Sequence, residues 1–438
     1  MITTIQVLGQ TSFGFELSIA QILVSLLTCA VIDVVWTMRE RRQIAWPASA
    51  LLTGNGIALL LRVSGTEHGD WWSLRGAWIF AATGALAVVS KHVIRTRTGH
   101  LFNPSNVALV VCFAVLGTTR VNPQDLWWGP RSPALVAADL VIVGGGLVII
   151  ARQRLLSVST AFAVSFAAAV GVVAASGHDM NARWHVGPIA GWSYWWALTT
   201  SPEVLIFLFF MITDPRTTPD GRSARVTYGA AVGLLAAGLG AWSTTEFSTK
   251  VSILGALTFV SVLRPAIEAA LPAAGSNDDA VAGLWQRAVR PRTALRSAGV
   301  ALLFVVGLAA AGHSNRVESS RAGEVFLPPF VADVDAVALP PVSIDPAVGN
   351  AGATVTADDA VRMVREVVAT LIGQSPRSVH LERATVVLVR DPKRGQAPPN
   401  LGVHVIGTTS EGTSEVPFDH TYVVIPNGAR YVVTDSGQ

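Results

Sequence analysis

Charge is what this sequence has least of. Of its 438 residues only 14% are Asp, Glu, Lys or Arg, against roughly a quarter in soluble domains. In contrast, 51% are hydrophobic and the mean hydropathy is +0.47. So little charge excludes an ordinary soluble chain and points to an integral membrane protein with a lipid bilayer as its main partner. The small excess of 32 Lys and Arg over 29 Asp and Glu reads as basic cytoplasmic loops, so no nucleic-acid partner is expected. Cysteine is nearly absent. Cys29 and Cys112 both fall in apolar runs, which excludes a disulfide framework and a cysteine-ligated cluster. The nine histidines are scattered with no His-x-x-x-His or Glu-x-x-His pairing, so no metal is expected. No Gly-x-x-x-x-Gly-Lys loop or Gly-x-Ser-x-Gly elbow occurs, and autonomous hydrolysis is not indicated. No basic residue precedes the first apolar run and no small-residue cleavage site follows it, so that run is expected to stay in the mature chain.

Long hydrophobic runs are what the sequence has in quantity. A span needs roughly 17 to 25 residues to cross the hydrocarbon core. About ten are expected, near 13–36, 46–63, 74–93, 103–119, 133–151, 156–175, 190–213, 226–243, 249–270 and 296–312. Every second connection is basic, carrying in turn Arg39, Arg41 and Arg42; Lys91, Arg95 and Arg97; Arg152 and Arg154; Arg216, Arg222 and Arg225; and Arg287, Arg290 and Arg292. The positive-inside rule makes these loops cytoplasmic and puts both termini outside. Tryptophans such as Trp36, Trp46, Trp71, Trp72, Trp127, Trp128 and Trp242 lie near the ends of the runs, as an aromatic belt does.

After about residue 313 the character changes. Pro328-Pro329 and Pro340-Pro341 are followed by a helix-like stretch, Thr356–Leu371, and by alternating stretches at His380–Arg390, Val403–Thr408 and Thr421–Ile425. The expected architecture is an all-α polytopic membrane domain over 1–312 and a small extracytoplasmic α+β domain over 313–438.

Three apolar runs open on proline, at Trp46-Pro47, Asn103-Pro104 and Ser201-Pro202-Glu203. Proline suits the first helical turn, and Asn or Ser before it suits the N-cap. The third opening stands about a dozen residues before Asp214-Pro215, too few to cross alone. Broken half-helices are the reading. Their free N–H groups and partial positive charge suit phosphate, carboxylate or carbonyl ligands, although ordinary interfacial helix starts have the same signature. Within Thr98-Gly-His-Leu-Phe-Asn-Pro-Ser-Asn106, Asn103 and Asn106 are able both to cap and to offer amides to a ligand, and His100 stands ready for an anion. Within Phe210-Met-Ile-Thr-Asp-Pro-Arg-Thr-Thr218, Asp214 with Thr213 and Thr217 either caps the next turn or accepts from a ligand hydroxyl. Glu203 is costly in an apolar segment unless hydrogen-bonded, which makes it a functional candidate, with helix capping the alternative.

Ser49-Ala-Leu-Leu-Thr-Gly54, Lys91 followed by Gly99-His-Leu-Phe-Asn-Pro104, and Phe210-Met-Ile-Thr-Asp-Pro215 together resemble the RnfD/NqrB family of membrane redox subunits. The resemblance covers roughly residues 13 to 312 and extends to divergent actinobacterial members encoded beside enediyne biosynthesis genes. It implies a urea-transporter-like fold of ten helices in the bacterial plasma membrane, holding FMN or riboflavin and passing electrons between partner subunits. Relatives attach FMN through a Ser/Thr-Gly-Ala-Thr motif in a loop of the membrane domain. That motif is missing from residues 177–200, so noncovalent flavin is the expectation. In the tail, Asn350-Ala-Gly-Ala-Thr-Val-Thr356 is similar to the flavin-bearing stretch of the partner subunits RnfG and NqrC. This implies Thr354 as an attachment residue, while Thr356 with Asp359 three residues on reads equally as a helix cap.

Two functions follow as expectations. One is a non-autonomous subunit of a membrane oxidoreductase, possessing a flavin. The other is a small-solute transporter, channel or exporter that uses the same half-helices without a redox cofactor.

Overall fold

Proline sets where three membrane helices begin. In the computed structural model α1 (Ile2–Thr11) and α2 (Ile19–Arg41) precede α3 (Ala48–Leu60), which starts directly after Pro47. Next come β1 (Leu61–Val63), α4 (Ala77–Val93) and α5 (Pro104–Leu116), the last with Pro104 at its first position and the Asn103 side chain accepting from Asn106 N–H. They are followed by β2 (Val121–Pro123), α6 (Pro133–Arg152), α7 (Leu156–Ala175), the short strands β3 (Asp179–Met180) and β4 (Ile189–Ala190), and α8 (Gly191–Thr200). Here the helix breaks at Ser201 and restarts as α9 (Pro202–Ile206), with Ser201 as N-cap, before passing into a π-helical turn over Phe207–Met211. After it come α10 (Arg222–Gly240), α11 (Glu246–Ala270), α12 (Val281–Ala288) and α13 (Pro291–Ser314). The structure describes residues 2–66, 68–96, 99–118, 120–128, 133–182, 189–272, 274–276, 279–288, 291–315, 339–350, 355–374, 379–389, 400–411, 414–427 and 430–435.

The chain forms two compact units. The first comprises 1–129, 133–178 and 190–315, the second 130–132, 179–189 and 316–438. Among the described residues of the first unit six helical segments are long and apolar enough to cross a bilayer: Ile19–Arg41, Pro133–Arg152, Leu156–Ala175, Gly191–Met211, Glu246–Ala270 and Ser297–Ser314. They coincide with six of the ten expected spans. The other four expected runs also hold helices, but α3 and α5 have 13 residues and α4 has 17, and the 19-residue α10 opens on Arg222 and Arg225.

Thirteen helical residues rise only about 20 Å, short of the roughly 30 Å hydrocarbon core. Each of the two short helices is continued by extended chain instead. β1 and β2 pair antiparallel, with Leu61 opposite Pro123, Arg62 opposite Asn122 and Val63 opposite Val121. All six residues are buried. Their backbone is satisfied because protein covers it and each strand pairs with the other. Ser64 N–H to Arg120 C=O and Gln124 N–H to Leu60 C=O extend the pairing at both ends.

Small residues let the helices approach, as in membrane bundles generally. A Cβ on Gly54 of α3 would stand 2.8 Å from the Ser25 carbonyl of α2, and one on Gly229 of α10 would stand 2.4 Å from the Val158 carbonyl of α7. The Ser25 hydroxyl also donates to the Gly54 carbonyl across the first of these contacts at 2.8 Å. The start of α2 is closed by a reciprocal cap between Ser18 and Gln21, and its last turn carries Arg39 and Arg41, which suit the negative end of the helix dipole.

The second unit is α+β. Strands β5 (Val342–Ile344), β6 (Val379–Val389), β7 (Asn400–Glu411), β8 (Ser414–Asn427) and β9 (Arg430–Asp435) form one sheet in that order, β5 parallel to β6 and the rest antiparallel. A short helix, α14 (Pro346–Asn350), precedes α15 (Ala357–Gln374). Met363, Val364, Val367, Val368 and Leu371 of α15 pack on Ala384, Val386, Val403, Val405, Tyr422 and Val424, the period-3.6 face of a helix meeting the period-2 face of a sheet.

Candidate functional site

The Asn-Pro and Asp-Pro motifs, more than a hundred residues apart, meet at the start of α5. His100 Nε2 and Asp214 Oδ2 stand 3.1 Å apart. Asn103 Oδ1 accepts from Asn106 N–H and from the Ser105 hydroxyl, while its Nδ2 donates to the Met211 carbonyl at 3.2 Å. That carbonyl belongs to the π-helical turn, so one side chain caps one broken helix and ties it to the end of another. Asn106 Nδ2 donates to the Leu254 carbonyl and to Thr258 Oγ1 of α11, whereas its buried Oδ1 has no partner. Asp214 Oδ1 accepts from Arg216 N–H, and its carbonyl accepts from Thr217 and Thr218. The Thr213 hydroxyl donates to the Phe209 carbonyl. The structure therefore brings His100, Asn103, Asn106, Thr213, Asp214 and Thr217 together, and their polar atoms are spent mainly on one another and on helix ends.

Glu203 lies elsewhere. As the second residue of α9 it occupies the first turn after the break, and it lines a small, partly open cavity with Leu60, Pro123, Leu126, Phe207 and Lys250. Val204, Met211, Ile253 and Leu254 complete the wall. The arrangement follows from the broken elements: Leu60 ends α3, Pro123 ends β2, and α9 starts at cavity level because Pro202 and Ser201 start it there. Both ionisable side chains are buried, and neither Glu203 Oε1 nor Lys250 Nζ has a hydrogen-bond partner. Buried polar atoms without partners are rare in native interiors, and in membrane segments they mark functional sites.

Lys250 belongs to a wider group. It faces Glu246 Oε1 at 4.0 Å, one turn back on α11, and Glu246 Oε1 in turn accepts from Leu126 N–H. Arg62 on β1 bridges Asp125 at 3.2 Å and Glu16 at 3.3 Å. Arg62, Asp125, Glu246 and Lys250 are the residues that reading along the chain passed over. Each is a single charge in or beside an apolar run, and the pairings span 63 residues from Arg62 to Asp125 and 120 from Leu126 to Glu246. The available signal was an ionisable residue inside an expected span, which is as informative at Lys250 as at Glu203.

Thr354 lies outside the described residues. Nearby, Thr356 caps α15: its hydroxyl accepts from Asp359 N–H at 3.1 Å, and Asp359 Oδ2 accepts in return from both the Thr356 hydroxyl and its N–H. Those bonds and the Arg362 guanidinium hold the Asp359 carboxyl below the usual carboxylate range.

An apolar cavity with one carboxyl and one amine at its edge suits a small, largely uncharged molecule with a hydrogen-bonding edge. A dianionic phosphate fits it poorly, because Glu203 stands beside the single amine there. No protein-family model matches this chain, and no curated protein matches it either.

Proposed function

We propose that the membrane unit is a flavin-holding electron-transfer subunit of the RnfD/NqrB type, a non-autonomous part of a larger redox complex in the bacterial plasma membrane. The observation that carries this reading is the cavity beneath the Ser201-Pro202 break, apolar except for Glu203 and Lys250, whose Oε1 and Nζ make no hydrogen bond within the protein and are a ready acceptor or donor pair for a ring edge. A flavin supplies reversible electron storage when bound. The protein's part is to hold the ring, exclude water and tune its potential through the apolar wall. Riboflavin, or the ring of an FMN whose phosphate lies elsewhere, suits this cavity better than a buried phosphate does. The positive-inside pattern supports cytoplasmic ends for the two motifs and an extracytoplasmic tail, and service to natural-product biosynthesis, including that of enediynes, belongs to the same reading.

The full chain, purified in mild detergent, is expected to show flavin absorbance that is released into the supernatant on acid precipitation. Val204→Trp, which fills the cavity, is expected to lose it. A colourless wild-type protein overturns this reading in favour of a solute transporter or exporter. That second reading draws on one observation of its own: Asn103, Asn106 and Asp214 already bond within the protein, as scaffold residues around a solute path do.

A further inference from the structure

Six ionisable side chains of the membrane unit interact electrostatically at one end of the cavity: Glu16, Asp125, Glu203 and Glu246 against Arg62 and Lys250. Fully ionised they would carry two surplus negative charges, which a buried cluster does not sustain. Their exposure falls inward from one rim. The Glu16 and Asp125 side chains are 26% and 22% exposed, Glu246 8%, Lys250 5% and Arg62 4%. Glu16 and Asp125 are the most exposed of the four carboxyls, and both touch Arg62. Glu246 accepts a backbone N–H and faces Lys250. Glu203 Oε1 receives no donor and faces the cavity, with the Lys250 charge and the Trp128 indole as the groups beside its carboxyl, so among the four carboxyls its anionic form is the least supported.

We propose that Glu203 is a neutral carboxylic acid that exchanges its proton with the occupant of the cavity and is reloaded from the Glu16 rim through Asp125, Glu246 and Lys250. In each cycle the Glu203 O–H bond breaks and its proton passes to a base in the cavity, either water or a bound molecule. The resulting carboxylate stands beside the Lys250 ammonium, which returns one proton to it. The amine left on Lys250 is restored by a proton entering from the rim through Asp125 and Glu246. One proton moves at each step and no electrons are transferred. Arg62 stays charged throughout and holds the rim carboxylates in place. This makes the site the inner end of a proton path, whether or not the cavity holds a chromophore.

Infrared spectroscopy on the full chain in liposomes tests the assignment, because a protonated carboxylic acid has a C=O stretch that a carboxylate lacks and that shifts in deuterated water. At neutral pH the wild type is expected to show such a band, Glu203→Gln to lack it, and Glu203→Asp to restore it at a shifted frequency. Glu246→Gln is expected to keep the Glu203 band. Asp125→Asn is expected to keep it as well but to slow its exchange with deuterium severalfold. Folded variants are recognised by unchanged far-ultraviolet circular dichroism. A full band remaining in folded Glu203→Gln overturns the assignment, and equal exchange in Asp125→Asn and wild type overturns the route. The measurement needs no flavin, so it fails or succeeds independently of the redox reading.

Discussion

At the residue scale, the candidate site was legible where chemistry is local. An Asn before Pro at the head of an apolar run predicts an N-cap, and Asn103 caps α5. A carboxylate in the first turn of an apolar segment is conspicuous, and Glu203 lines the cavity. What the chain does not reveal locally is pairing: His100 with Asp214 and Arg62 with Asp125 are joined only by the fold. Asp279 is another such residue. Burial alone pushes its carboxyl up, but the backbone N–H groups of Ser223 at 2.9 Å, Arg222 at 3.0 Å and Gly275 at 3.3 Å hold it below its ordinary value of 3.8. It thereby serves the free N–H groups at the start of α10 from a distant loop. Because the folded form is the stronger acid, its stabilisation is complete above the unfolded value and fades as the pH falls through the folded one. Between about pH 6 and pH 3 the thermal midpoint of the wild type in detergent should therefore fall further than that of Asp279→Asn. Equal falls would remove Asp279 as a contributor.

At the scale of elements, proline and cap residues marked the starts of α3, α5 and α9 correctly, because those rules concern adjacent residues. The strands β1 and β2 were not legible. Three extended residues inside an apolar run have no periodicity to read, and their partners lie some sixty residues away. In the second unit α15 and the core of β6, β7 and β8 follow from alternation, whereas β5 and β9, short edge strands, do not. Helix packing carries its own prediction. With 2.4 Å between a Cβ on Gly229 and the Val158 carbonyl, Gly229→Leu forces α7 and α10 apart, since neither backbone has a side chain to rotate away. Overpacking of this kind costs about 1–3 kcal/mol or more. The variant is expected to have a lowered thermal midpoint and broadened elution in detergent, whereas Gly144→Leu, on an α6 position with nothing within 4 Å, is expected to behave as wild type.

At the scale of the whole molecule, composition alone indicates a multi-pass membrane protein, and the six long apolar helices agree. Against the ten expected spans, six helices among the described residues meet the length and hydropathy of a span by themselves. The difference lies in segments that are short or charged at one end: α3, α4, α5 and α10. A membrane protein can use such segments because neighbours complete them, which no window average detects. The proposed orientation is testable because both native cysteines, Cys29 and Cys112, are buried. A cysteine introduced at the exposed Ser343 of the tail should react with a membrane-impermeant maleimide in intact cells. Labelling only after the cells are opened would turn the proposed orientation over.

The pairing of β1 with β2 also bears on how the protein is made. Arg62 leaves the ribosome some sixty residues before Asp125, and the first strand emerges equally far ahead of the backbone that satisfies it. During that interval α3 can pack on α2 and Arg62 can meet Glu16, but the backbone groups of β1 lack their strand partner. The strand pair closes only once β2 has been made, so α3, α4 and α5 reach their final packing together rather than one after another.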